Sequence, residues 1–452
     1  MSIYGIFLIH SPLDVVHDEE WQTIKDHAAL RAIYNSPERH DPPKCDPDTR
    51  LAIRNKLLDW ITGRTDADGR ILWLRGAAGT GKSALGQTIA ETCASEKLLL
   101  ASFFFSRTDP SRNTVNALVA TLAYQIGTTI SGSLEIISEA VKKNSKIFIE
   151  PFETQLMDLV FNPLSQLAKI GATPQLPGLI VIDGLNECFD PVVQSQIVLG
   201  FVNALQVADH SKFRVLIATR PESHLEATFN SVPSISIRLL TLEMPSVTLD
   251  PDDIRLFLGH QFSSLFSSTL PTNVMDDLVE RSKGQFVVAS TITKYISVNG
   301  TDPALRLGAI LDIQCPPEDE GAPFAQLDAI YLYILSRVED VQTTKMILGI
   351  ILFIDPDYDF FAPLATAQSP SPQTLSGVEY LLSLEPGRAT THTQALYPMV
   401  QCTGDGQIFI PQAVVAEFLQ DPVRSKSFHI EKSAFLKTLI AYCFEIVGKD
   451  TG

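Results

Sequence analysis

The chain is poor in the features that would tie it to a membrane or to an oxidising compartment. No window of about 18 residues is both apolar and uncharged, and the apolar start lacks the basic stretch and cleavage site of a secretory signal. The six cysteines lie far apart, without a C-x-x-C pair or His partners at metal-binding spacing. We therefore expect a cytoplasmic protein with free thiols.

Positive charge is also scarce. Lysine and arginine number 35 against 52 acidic residues, a formal net charge of −17. This balance opposes attraction to nucleic-acid phosphates and to anionic membrane surfaces, so neither is an expected partner. No repeat with a period of 20 to 50 residues is present, which argues against a solenoid or propeller. A hydrophobic content of 45% excludes a mostly disordered chain.

The first half of the chain predicts an α/β domain. Residues 1–33 are poorly defined, and residues 34–70 combine a linker rich in proline and charge with an amphipathic lead-in helix. From residue 71 to residue 240, continuous apolar runs alternate with helical segments, a pattern typical of parallel strands buried on both faces. The predicted strands are ILWL from Ile71, LLLASFFF at 98–105, LIVI at 179–182, FRVLIA at 213–218 and SISIRLL at 234–240.

Helical patterns dominate the second half. They occur at 252–262, 274–296 and 323–338, and a proline-rich, acidic spacer at 311–323 interrupts them. Two small, mostly helical modules are expected here.

A phosphate-binding loop (P-loop) lies between the first predicted strand and the following helix. GAAGTGKS fits G-x-x-x-x-G-K-[ST]. Its glycines let backbone N–H groups face phosphate oxygens, Lys82 would reach the β and γ phosphates, and Ser83 would bind Mg²⁺. The predicted nucleotide-binding residues of the loop are Gly76, Ala77, Ala78, Gly79, Thr80, Gly81, Lys82 and Ser83. No N-K-x-D tetrapeptide follows, which favours ATP over GTP.

Acidic residues follow the third predicted strand in VIDGLNEC. Asp183 ends the strand, where a carboxylate can bind a phosphate-bound Mg²⁺, although an acid at this place can also cap the next helix. Glu187 is the candidate base for an attacking water, or else a solvated acid at a helix start. Asn186 cannot accept a proton, so hydrolysis would fall by about two to four decades if position 186 were the base.

The fourth predicted strand ends in ATRPE. Arg220 leaves the same edge of the sheet as the P-loop and Asp183 and could sense the γ phosphate. An arginine followed by proline can equally be a surface residue in a turn.

In this order, these stretches resemble the NACHT family of signalling P-loop ATPases, in particular fungal NLR-like proteins with a nephrocystin-like P-loop module. PKCDPDTR, GAAGTGKSALGQTIAE, ASFFFSR, LVATLAYQI, VIDGLNEC and ATRPE carry the resemblance. It implies strand order 5-1-4-3-2, a NACHT domain at 71–240, a helical module at 241–315, a winged-helix-like module at 322–430 and a C-terminal helix at 431–452. It also implies ATP/ADP with Mg²⁺ and a switch that controls oligomerisation.

The chain departs from the family pattern at three places. Asn186 stands where the family favours an acid, Gln412 stands where many relatives carry a histidine that contacts ADP, and Gly284–Phe286 replaces G-x-P. The resulting hypothesis is a signalling switch with slow or impaired hydrolysis, acting through protein partners or self-assembly in an innate-immunity-like or self/non-self pathway. The alternative is a nucleotide-stapled scaffold, a protein that binds its partners with a nucleotide held in place and does not hydrolyse it. A small-molecule kinase would need an acceptor pocket that no motif indicates.

Overall fold

The structure is a computed structural model, and the chain divides into two compact units. The first comprises residues 1–45, 50–77 and 82–244, and the second comprises residues 46–49, 78–81 and 245–452. The structure describes residues 12–37, 39, 42–64, 69–169, 178–207, 213–232, 239–244, 251–266, 269–298, 300–314, 324–354 and 370–450.

The first unit is built on a five-stranded parallel sheet. Its strands are β1 (Ile71–Arg75), β2 (Leu99–Phe104), β3 (Leu179–Asp183), β4 (Arg214–Thr219) and β5 (Leu239–Glu243). They are ordered β2-β3-β4-β1-β5, and every pair is parallel. β2 and β3 are buried along their whole length, which explains their uninterrupted apolar sequences. The predicted α/β parallel-sheet class is confirmed, and so is the strand order that the resemblance implies.

Helices flank this sheet. They are α1 (Pro12–Asp26), α2 (Leu51–Thr62), α3 (Lys82–Ser95), α4 (Leu118–Thr129), α5 (Ser133–Lys143), α6 (Phe152–Leu156), α7 (Asn162–Lys169), α8 (Pro191–Val207) and α9 (Ser223–Ser231). A π-helical turn, Met157–Phe161, joins α6 to α7. The sequence pattern did not predict α5, α6 or α7. It placed the last strand at 234–240, whereas β5 is observed at 239–243 and residues 233–238 lie outside the described residues.

The N-terminal helix α1 packs into the first unit. Ile24 is fully buried, and Trp21 stacks on Tyr124 of α4 with 5.1 Å between ring centroids. Gly127 makes this approach possible, because a Cβ there would lie 2.7 Å from the Trp21 ring. The part of residues 1–33 that the structure describes therefore contributes to the core of the α/β unit.

The second unit is mainly helical. Its helices are α10 (Pro251–Ser263), α11 (Thr272–Ser282), α12 (Phe286–Ile296), α13 (Pro303–Leu311), α14 (Ala325–Leu335), α15 (Val341–Phe353), α16 (Leu375–Leu381), α17 (Arg388–Ala395), α18 (Ala413–Gln420), α19 (Pro422–Ser425) and α20 (Lys432–Asp450). Two short strands, β6 (Gln401–Cys402) and β7 (Ile408–Phe409), form an antiparallel pair. The apolar residues of the second unit share one core, which includes Leu278, Ile292, Tyr331 and Phe418.

The helical stretch predicted at 274–296 is two helices. Lys283 and Gly284 adopt left-handed backbone conformations, with φ of 44° and 69°, and the chain turns between α11 and α12. A glycine in the αL region is a common helix stop, which the apolar periodicity on either side concealed. Within the part of the chain that the structure describes, no helix is long and apolar enough to cross a membrane.

Candidate nucleotide site

The P-loop joins β1 to α3, the context that the sequence motif requires. Gly79 and Gly81 have φ of 76° and 83°, a left-handed backbone that glycine adopts without the steric cost of a Cβ. The loop therefore curls back on itself before α3 begins at Lys82. This geometry turns the N-terminal end of a helix toward the site where phosphates would bind.

Lys82 folds back onto the loop. Its Nζ donates hydrogen bonds to the carbonyl oxygens of Gly76 (2.7 Å) and Ala77 (2.8 Å). Burial, together with the positive charge of Arg220, lowers the pKa of Lys82 to about 8. A bound phosphate would supply the negative charge that favours the ammonium form.

Asp183 and Ser83 offer oxygen ligands for a divalent cation. Asp183 is 3% exposed, lies close enough to Ser83 for that hydroxyl to lower the pKa of its carboxyl, and has no hydrogen-bond partner for Oδ1 among the described residues. Burial raises the pKa of Asp183, while Ser83 and the charge of Arg39 oppose that rise. A buried carboxylate oxygen without a partner, beside a hydroxyl, fits the oxygen coordination that Mg²⁺ prefers.

Glu187 ends the short 3₁₀ turn Leu185–Glu187 that follows β3. Burial, together with the negative charge of Asp183, raises the pKa of Glu187 to about 7. The backbone N–H of Arg107 donates to Glu187 Oε2 at 3.2 Å and partly stabilises the ionised form. A carboxyl group that ionises near neutral pH has the property required of a general base.

Arg220 follows β4, which lies between β3 and β1 in the sheet. Its positive charge lowers the pKa of both Lys82 and Glu187, so it lies within electrostatic range of both groups. Lys82, Asp183, Glu187 and Arg220 therefore meet at the carboxyl edge of the sheet, as the order of the sequence motifs predicted. Their individual roles remain predictions.

The end of β2 adds charged residues that the sequence analysis did not single out. Arg112 donates through Nε to Asp109 Oδ2 (2.7 Å) and through Nη1 to the carbonyl oxygen of Phe104 (3.1 Å). Its charge lowers the pKa of both Asp183 and Glu187. Because β2 neighbours β3, the charged residues that follow the apolar run of β2 could have indicated this contribution.

Arg39 approaches the same edge from the linker. Its Nη1 donates to Gln87 Oε1 on α3 at 2.6 Å, and its guanidinium lies 3.8 Å from the ring centroid of Phe104. Burial, together with the positive charge of the neighbouring Arg112, lowers the pKa of Arg39 to about 10. The linker thus contributes a cation close to Asp183.

Gln412 accepts a hydrogen bond within the second unit. Tyr331 donates a hydrogen bond through Oη to Gln412 Oε1 at 3.2 Å. Burial raises the pKa of Tyr331, so its phenol remains protonated and serves as a donor.

The raised pKa of Glu187 predicts a pH-dependent stability that glutamine at this position would remove. Between about pH 4.5 and pH 7 the unfolded chain ionises this carboxyl while the folded chain keeps it protonated, so stability falls as pH rises. Relative to Glu187→Gln, the wild-type chain should lose on the order of 3 kcal/mol across this window and nothing further above it. Urea unfolding of both proteins from pH 4.5 to pH 8.5 measures the difference. A constant difference would show that the carboxyl titrates normally.

Comparisons with known proteins give one family-model match and several similar solved structures. The family model described as "Nephrocystin 3, N-terminal" matches residues 51–220. No curated protein sequence matches the chain. Among solved structures, the chain is similar to the Walker-type ATPase of Pyrococcus abyssi, with 16% identity, a TM-score of 0.40 and coverage of 83% of this chain and 97% of that one.

Two further solved structures are similar at comparable levels. The first is the ORC1 protein of Aeropyrum pernix in complex with DNA, with 14% identity, a TM-score of 0.35 and coverage of 82% of this chain and 93% of that one. The second is a replication initiator DnaA bound to AMPPCP and single-stranded DNA, with 13% identity, a TM-score of 0.32 and coverage of 78% of this chain and 88% of that one. The strand order, the P-loop between β1 and α3 and the family-model match together make the first unit a P-loop NTPase fold.

Proposed function

We propose that this chain is an ATP/ADP-binding switch of the NACHT type, in which slow hydrolysis at Glu187 resets the nucleotide state. The observation that carries the proposal is the meeting of Lys82, Asp183, Glu187 and Arg220 at one edge of the sheet. We also propose that the protein is cytoplasmic and that it acts through protein partners or self-assembly in an immunity-like or self/non-self pathway.

Each residue has a chemical task in this proposal. Lys82 leaves its loop carbonyls and binds the β and γ phosphates, and Arg220 interacts with the γ phosphate. Ser83 and Asp183 hold Mg²⁺, which would neutralise charge on the phosphate oxygens. Water attacks the γ phosphorus and gives a proton to the Glu187 carboxylate, while the bond to the β–γ bridging oxygen breaks to release ADP and phosphate.

The raised pKa of Glu187 supports its proposed role as the general base. With a pKa of about 7, only part of the protein population carries the ionised base at neutral pH. The resemblance to NACHT proteins supports the remaining parts of the proposal: the response of the second unit to the nucleotide and a winged-helix-like arrangement around β6 and β7. A nucleotide that interacts differently with two conformations shifts the population between them.

We expect the purified chain to bind ATP and ADP in preference to GTP and to release phosphate slowly. At about 100 times its dissociation constant, ATP with Mg²⁺ should stabilise the chain by about 2.7 kcal/mol, because ligand binds the folded state alone. Thermal unfolding with each nucleotide, phosphate release and light scattering in the ATP and ADP states measure the three parts of the proposal.

The outcomes separate the alternatives. ATP binding without phosphate release above that of Lys82→Ala would favour the nucleotide-stapled scaffold. An identical oligomeric state with ATP, with ADP and without nucleotide would contradict switching by self-assembly. No stabilisation by any nucleotide would contradict nucleotide binding itself.

A further inference from the structure

Asn186 occupies a central position among the strand ends of the first unit. Its side chain is 4% exposed, and its Oδ1 accepts a hydrogen bond from the backbone N–H of Arg220 at 3.1 Å. The hydroxyl of Thr219 lies 3.3 Å from the same oxygen and 3.1 Å from the carbonyl oxygen of Arg220, so its single proton is shared between them. The amide therefore joins the turn after β3 to the end of β4.

The main chain of the same turn is joined to the end of β2. Arg107 donates through Nη2 to the carbonyl oxygen of Asn186 at 2.7 Å, and its backbone N–H donates to Glu187 Oε2. Three neighbouring strand ends thus meet at residues 186 and 187. The position of Glu187 relative to Arg220 depends on these few hydrogen bonds.

A second connection holds the far end of this turn. Gln194 donates through Nε2 to the carbonyl oxygen of Cys188 at 2.6 Å, and its Oε1 lies 2.8 Å from His224 Nε2. Because the amide nitrogen is already a donor, Oε1 must accept, so His224 Nε2 carries a proton. The loss of the Asn186 side-chain contacts alone should therefore displace the end of β4 without unravelling the turn.

These contacts assign Asn186 a role that differs from that of a missing acid. An oxygen that accepts from a buried N–H and from a hydroxyl is not available to orient an attacking water. An amide and a carboxylate both supply such an acceptor, so an exchange between them leaves the contacts intact.

We propose that Asn186 is a positioning residue, which fixes Arg220 relative to Glu187 through its acceptor oxygen. The inference rests on the proposed nucleotide function and deepens it. It predicts that discrimination between ATP and ADP depends on Asn186, because Arg220 is the group assigned to the γ phosphate. It also predicts that replacing the amide nitrogen of Asn186 by a carboxylate oxygen has little effect on this discrimination, because Oδ1 is kept.

The test compares substitutions that keep the volume of the side chain. Asn186→Leu removes the acceptor and should reduce the ratio of ATP to ADP affinity by about 10-fold, because a charged contact to phosphate is misplaced. Asn186→Asp should stay within about 3-fold of wild type in the affinity ratio, because it preserves the acceptor. Asn203→Leu, an exposed asparagine on α8, is the matched control.

A double substitution separates positioning from general loosening. If Asn186 acts through Arg220, then Asn186→Leu should have no further effect on the affinity ratio in an Arg220→Ala background. Additive effects would overturn the proposal. So would a gain of 10-fold or more in turnover for Asn186→Asp, which would identify position 186 as a missing acid.

Hydrogen exchange at the Arg220 amide tests the contact without nucleotide, and it remains informative if Asn186→Leu is too unstable for binding assays. Protection should be retained in Asn186→Asp and lost in Asn186→Leu or in the milder Asn186→Ala. Equal protection in all variants would overturn the proposal. If the wild-type chain binds ATP but releases no phosphate, hydrolysis in the proposed function fails, and the affinity ratio still decides the role of Asn186.

Discussion

Replacing Glu187 by glutamine is expected to reduce phosphate release by about 100- to 10,000-fold while nucleotide binding persists. Glutamine keeps the size and polarity of the side chain and can still accept from the backbone N–H of Arg107, but it cannot take a proton from water. Single-turnover phosphate release with saturating ATP and Mg²⁺ measures the chemical step. ATP affinity should change by less than about 3-fold, because the glutamate contacts the attacking water and not the phosphates in this mechanism.

Glu139→Gln provides the matched control, since this carboxyl is 53% exposed and forms a surface ion pair with Lys143. It should leave phosphate release unchanged. If phosphate release by Glu187→Gln equals that of the wild type, Glu187 is not the general base and another group must accept the proton from water. A rise in wild-type turnover up to about pH 7, absent from the residual activity of the variant, would connect the base to the raised pKa of this carboxyl.

Replacing Lys82 by alanine is expected to weaken ATP binding by about 100-fold, because charge-assisted hydrogen bonds to phosphate are lost from a buried site. The change should also leave the carbonyl oxygens of Gly76 and Ala77 without their present donor. Titration with a fluorescent ATP analogue in the presence of Mg²⁺ measures the affinity.

Lys143→Ala is the control for this substitution, because the Lys143 side chain is 74% exposed and belongs to the same α/β unit. It should bind ATP as the wild type does. Comparable affinity of Lys82→Ala and the wild type would exclude a phosphate-binding role for the P-loop lysine. Unfolding curves of all three proteins distinguish lost binding from lost folding.

The sequence predicted the sheet because each buried strand is a short continuous apolar run. β1, β3 and β4 appear in the sequence as ILWL, LIVI and FRVLIA, and Arg214 near the start of β4 is the one polar residue within these three runs. The same pattern missed α5, and it could not place α6 and α7, which are short and separated by a π-helical turn that interrupts the regular period. It also merged α11 and α12, since the αL residues between them lie inside an apolar periodic stretch.

In the candidate site, too, some residues were predicted from the sequence and others were missed. G-x-x-x-x-G-K-S is a local motif, so spacing alone indicated the loop, the lysine and the hydroxyl. Asp183, Glu187 and Arg220 were predicted because parallel strands bring their carboxyl ends to one edge. Arg39 was not predicted, because it belongs to a linker without a motif. Arg112 was missed, although it follows the end of the neighbouring strand β2.

The sequence by itself determined the parallel α/β sheet, the P-loop and the set of strand ends that carry charged residues, since each depends on local pattern or on chain order. Only the tertiary structure decided what surrounds each group. The pKa of Glu187 near 7 results from burial and neighbouring charges, and the role inferred for Asn186 results from an N–H that lies 34 positions further along the chain. Desolvation and long-range hydrogen bonds depend on three-dimensional proximity, which a residue pattern does not specify.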